Sequence, residues 1–179
     1  MKKTAVLLYP QFSEYELSVA LSILMQGAKP IVTVGLSDTL IRGESGLTCL
    51  ADTTIHQLKD EEIDSLLLPG CMDIGVLQHE QHVLTWIQRI AEQQALIASI
   101  SSSPYLLAKA GLLKDKKYTV GLTQEQREVL GVFEGSHYMN DLVVQDGNII
   151  TARGSGFIQF GIVMGQALRL SFNDKWYQA

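Results

Sequence analysis

With 179 residues, 46% of them hydrophobic, and a formal net charge of −5, the chain has apolar material for one well-buried domain over 1–179. The acidic balance, with Lys and Arg scattered, argues against nucleic-acid and anionic-membrane partners. Two cysteines, Cys49 and Cys71, are too few for a disulfide framework, so a reducing cytoplasm is the expected setting.

The opening Met1-Lys2-Lys3 and the apolar run behind it faintly match a signal peptide. Pro10 breaks a run already too short, so residues 4–9 are predicted as a strand. No stretch reaches membrane-spanning length. Helix one follows, with Ser13 as N-cap, Glu16 three residues later as its capping-box partner, and Leu17, Ala20, Leu21 and Leu24 on one face. Gly27 closes it, and Glu14 is expected to face solvent. Residues 31–36 form a second strand, and 47–50 belong to a small β excursion. Ile63–Leu68 is a buried strand running into Pro69-Gly70-Cys71. Gln81–Glu92 is an amphipathic helix with Val83, Trp86, Ile87 and Ile90 inward.

Residues 95–100 are a short apolar run, the mark of a strand covered on both faces. Pro104 suits the first helical position, Ser103 precedes it as N-cap, and Gly111 ends the helix. Ser101 and Ser102 therefore sit at a turn on the carboxyl end of a parallel strand, where open α/β sheets bind ligands. A hydroxyl at the apex of a strand–turn–helix is the geometry of a nucleophile elbow, here without the flanking GxSxG glycines. Lys114-Asp115-Lys116-Lys117 reads as a solvated loop. Thr123-Gln124-Glu125-Gln126 is a second capping box, and Gly131 ends that helix. Residues 142–151 read as a hairpin with a type I′ turn around Asp146-Gly147. A last helix over 156–170 is apolar almost all round, with Gly161 and Gly165 allowing close backbone approach. Alternating strands and helices imply a mainly parallel sheet with helices on both faces. There is no internal repeat, linker or low-complexity tract.

The elbow resembles that of the ThiJ/PfpI superfamily, relatives of the glutamine-amidotransferase domain, whose pattern reads roughly A-[IV]-C-x-G-P. Ser99-Ile100-Ser101-Ser102-Ser103-Pro104 puts the family's nucleophilic cysteine on Ser101. Leu66-Leu67-Leu68-Pro69-Gly70 is similar to the family's LPGG turn, with Cys71 for the second glycine. Phe12-Ser13-Glu14-Tyr15-Glu16-Leu17 resembles the F-x-x-x-E-L segment that supplies an acid beside the nucleophile. Residues 143–154, ending Thr151-Ala152-Arg153-Gly154, match the hairpin and T-[SA]-[RN]-G run before the final helix. The resemblance covers nearly the whole chain. It implies a flavodoxin-like three-layer α/β sandwich, a homodimer, no metal and no cofactor. It also implies that Glu16 points at residue 101, with Gly70 lining the pocket and the Cys71 and Ser102 amides forming an oxyanion hole.

Each candidate also has a plain structural role. A serine nucleophile needs a base, and this chain has no histidine at 102 or within 118–122, where family branches carry one. In a serine protease, loss of the histidine alone costs about 10⁶-fold in turnover. Ser101 is then a turn residue lining a small-molecule pocket in a catalytically weak or silent protein, with a binding, stress-related or regulatory role. The alternative is a hydrolase or amidase in which Ser101 attacks and Glu16 is the base. A third reading makes Cys71 a redox sensor, against its ordinary role as a small buried residue. Glu16 is equally a capping-box member. Arg153 can bind an anionic group, or pair with a carboxylate within the fold or across a dimer contact. His79 and His82, with Asp73, are too few for a metal site, and His137 belongs to loop surface.

Overall fold

The computed structural model describes residues 1–177. Its main sheet has seven strands in the order β5-β2-β1-β6-β7-β9-β8. These are β1 (Lys3–Leu7), β2 (Ile31–Gly35), β5 (Thr53–Thr54), β6 (Ile63–Leu68), β7 (Leu96–Ile100), β8 (Val143–Asp146) and β9 (Ile149–Ala152). All pairings are parallel except that of β8 with β9. The predicted excursion is a separate antiparallel pair, β3 (Ile41–Arg42) with β4 (Thr48–Cys49).

The helices are α1 (Glu14–Gln26), α2 (Gln81–Glu92), α3 (Pro104–Lys109), α4 (Gln124–Leu130) and α5 (Phe157–Ala167). From β1 the chain crosses to β2 on one side, and from β6 to β7 on the other. Right-handed crossovers in opposite directions put α1 and α2 on opposite faces, giving the expected three layers. α1 packs against α5 and α2 against α3. A Cβ on Gly161 would lie 2.8 Å from the Ala20 backbone nitrogen, so the close approach of α1 and α5 depends on that missing carbon.

β6 and β7 are buried along nearly their whole length, as apolar runs between two helical layers must be. Val83, Trp86, Ile87 and Ile90 of α2 are fully buried. Among the described residues, no helix is long and apolar enough to cross a membrane.

Three local expectations change. The first strand is shorter than the apolar run, because Leu8 and Tyr9 already belong to the loop that carries the chain into α1. The final helix ends at Ala167, three residues before its apolar run does. In the hairpin Asp146 pairs with Ile149, so the two-residue turn is Gly147-Asn148. Only Gly147 of that pair takes positive φ (62°), whereas a type I′ turn needs it at both positions.

Candidate functional site

The strand order places the carboxyl ends of β1, β6, β7 and β9 side by side, and the predicted site residues collect there. Ser101 follows β7 with φ 64°. Its N–H donates to the Ala152 carbonyl at 2.8 Å, and its own carbonyl accepts from the Gly121 N–H at 2.6 Å. A non-glycine residue in this region costs roughly 1–3 kcal/mol and persists only where the surroundings over-determine it. Here β9 on one side and the 121 loop on the other fix the bend.

Glu16 lies in the first turn of α1 and is 2% exposed. Its Oε2 accepts the Gly70 N–H at 2.7 Å. The Ser101 hydroxyl and the Tyr15 phenol also face this carboxyl. Burial pushes the Glu16 pKa up to about 6; the Ser101, Gly70 and Tyr15 hydrogen bonds oppose that rise, and the nearby Glu44 carboxylate adds to it. Gly154 closes the cluster: a Cβ there would lie 2.8 Å from Tyr15 Oη, 3.0 Å from Glu16 Oε1 and 3.2 Å from Ser101 Oγ.

The predicted capping box of α1 does not form. The Ser13 hydroxyl donates to Glu44 Oε1 at 2.6 Å and makes no cap bond. Glu16 turns to Gly70 and Ser101 instead. Nor does Glu14 simply face solvent, since its carboxylate accepts the Ser45 and Leu47 N–H groups and ties that loop to the helix start. Tyr15 carries no signal of a site role in the sequence. It is an exposed aromatic between two acids, with its ring edge-on to Phe157 at 5.4 Å and its phenol facing the Glu16 carboxyl.

Of the two amides expected to form an oxyanion hole, that of Cys71 already has a partner. The Cys71 N–H donates to Ser102 Oγ at 3.0 Å, and that hydroxyl donates back to the Cys71 carbonyl at 2.9 Å. Cys71 itself is 6% exposed, and burial pushes its thiol above the ordinary value, opposed by hydrogen bonds from Tyr9 and Ser102. Ser103 stands at the predicted N-cap position but has helical backbone angles and makes no cap bond. Its hydroxyl instead meets the Leu68 and Ile100 carbonyls, each at 2.8 Å, stitching β6 to the elbow.

Above Ser101 opens a cleft of about 420 Å³ whose walls include Gly121, Thr123, Arg153, Gly154 and Ser155. Arg153 has no carboxylate partner among the described residues: its Nη2 donates to the Tyr138 hydroxyl and to Asn140 Oδ1. Among the described residues, no histidine lines this cleft. His82 pairs with Glu80 and stacks on His56, and His137 pairs with Glu134. His137, Glu134 and Asp115 bring ligand atoms within 4.8 Å of one another at the surface.

A model of the DJ-1/PfpI family matches residues 2–164. The chain belongs to that family. It is 28% identical to protein dj-1beta of Drosophila melanogaster over 158 residues, 87% of this chain and 82% of that protein. It is 25% identical to a deglycase of Thermococcus kodakarensis over 154 residues, 86% of this chain and 91% of the deglycase. Its fold superposes with TM-score 0.85 and 25% identity on an Anabaena variabilis protein with DJ-1/ThiJ/PfpI-like and ferritin-like domains. That match covers 97% of this chain and 51% of the two-domain protein.

Proposed function

We propose that Ser101 stands where the DJ-1/PfpI family carries its nucleophilic cysteine, and that the cleft above it binds a small polar metabolite without efficient turnover. The bond from the Cys71 N–H to Ser102 Oγ carries this reading. An amide that would stabilise a developing oxyanion already has a partner, and losing one such donor costs about 10²–10³-fold in turnover. Among the described residues, the group placed to activate the Ser101 hydroxyl is the Glu16 carboxyl, and the Gly70 and Tyr15 bonds it accepts oppose the gain in basicity that burial gives it. A stress-related or regulatory role, a homodimeric state and a cytoplasmic setting belong to the same proposal and rest on the family likeness. The deglycase chemistry of the Thermococcus relative is not carried over, because the family's activities lean on the thiol.

A fluorophosphonate probe tests the reading: Ser101 is expected to stay unlabelled in a folded protein. Labelling that disappears in Ser101→Ala would instead support the second reading, a hydrolase or amidase. In that case the Ser101 oxygen bonds a carbonyl carbon as its proton passes to Glu16 and the C=O pair moves to oxygen; collapse of the adduct expels the alcohol or amine, which takes that proton, and water hydrolyses the acyl-enzyme. The strained φ of Ser101 and the facing carboxyl favour this alternative. The redox reading of Cys71 has less support, since a buried thiol with a raised pKa is a poor thiolate source. Slow reaction with iodoacetamide at neutral pH is expected there.

A further inference from the structure

Among the described residues, Arg153 and Arg127 are two of several cationic side chains without an ion pair, and they are set apart by meeting through one ring, that of Tyr138. The ion pairs among the described residues use Lys3, Lys29, His82, Arg89, Lys116 and His137, and neither of these two arginines. Arg153 is held by two neutral oxygens, the Tyr138 hydroxyl and Asn140 Oδ1. The Arg127 guanidinium lies 3.8 Å from the centroid of the same Tyr138 ring, and its Nη1 donates to the Leu122 carbonyl at 2.8 Å. Tyr138 thus connects two guanidinium groups that make no ion pair among the described residues. Of the acidic groups in this region, Glu128 lines the adjoining cleft with Arg127, Glu134 pairs with His137, and Glu16 is buried.

Arg153 shares the walls of the open cleft with the Ser101, Thr123 and Ser155 hydroxyls. A part-buried guanidinium with unused donors is matched by a planar oxyanion, whose two oxygens fit its fork. The cleft, about 420 Å³, has room for a ligand of a few carbons. We infer that Arg153, reinforced by Tyr138 and Arg127, is the anchor of a subsite for small organic acids. The ligand carboxylate pairs with Arg153, and its short carbon chain lies over the Ser101 turn. This assignment rests on the proposed binding role of the cleft and names the class of ligand it takes.

The test compares pyruvate with its neutral isostere pyruvamide, titrated into the full chain and followed by backbone amide NMR shifts. Charge-assisted hydrogen bonds are worth enough that pyruvate is expected to bind about tenfold or more tighter than pyruvamide. Arg153→Gln should erase that preference, and Arg153→Lys, which keeps the charge without the fork, should retain part of it. Equal binding of both probes to the unaltered chain, or a preference that survives in a folded Arg153→Gln variant, would overturn the subsite and leave the binding role standing. Binding of neither probe would overturn both.

Discussion

The starts of α1 and α4 carry the same four-residue signature and do different things with it. Thr123 and Gln126 make both bonds of a capping box at α4. Ser13 and Glu16, with the same spacing, make neither at α1. At α4, which has no buried residue, nothing competes for these side chains, and the local solution stands. At α1 the helix start lies beside the ends of β6 and β7, and Glu16 is drawn to the Gly70 N–H and the Ser101 hydroxyl. A cap signature left unmade in the folded chain marks where tertiary structure has claimed its residues for a site.

The largest way to break this comparison is to remove the charge that α1 has displaced into the interior. Because the folded pKa of Glu16 is raised to about 6, its ionised form is disfavoured on folding. The stability this group contributes is complete below its unfolded value, near 4.5, and is lost as pH rises through about 6. Relative to wild type, Glu16→Gln should therefore gain about 2 kcal/mol between pH 4 and pH 7.5, measured by urea unfolding at each pH. A gap that stays constant with pH would mean that the carboxyl is not held as described.

A second contrast concerns strain at the elbow. Ser101→Gly and Ser101→Ala both lose the hydroxyl, but only glycine is at ease at φ 64°. The glycine variant should unfold at higher denaturant, by about 1 kcal/mol over the alanine variant.

The caps themselves supply the smallest effect. Thr123→Ala should cost about 1 kcal/mol or less and speed hydrogen exchange at the Gln126 amide. Ser13→Ala should leave the Glu16 amide exchange rate unchanged, since the Ser13 hydroxyl bonds Glu44.

These contrasts also show how far the sequence could be read. Strand β6 and helix α2 match their predicted bounds, because continuous apolar runs and a 3.6-residue period are written locally. The convergence of residues 16, 70 and 101 came from resemblance to family motifs rather than from spacing, and the fold does bring them together. Three features were out of reach, each for a physical reason. The occupied Cys71 amide depends on a rotamer of Ser102. The Tyr15 phenol depends on a ring packed against Phe157, far along the chain. The unpaired Arg153 depends on which oxygens the 138–140 loop presents. Sequence periodicity carries no information on such side-chain choices across long separations.

The claim beneath all of this is that the hydroxyl at 101 bonds a buried, partly protonated carboxyl at 16. Carbon-detected NMR titration of Glu16 in the unaltered chain and in Ser101→Ala tests it directly. The account predicts a midpoint near 6 in the unaltered chain, moving upward in the variant as a hydrogen bond that favours the carboxylate disappears. A midpoint near 4.5, the ordinary glutamate value, identical in both proteins, would contradict it.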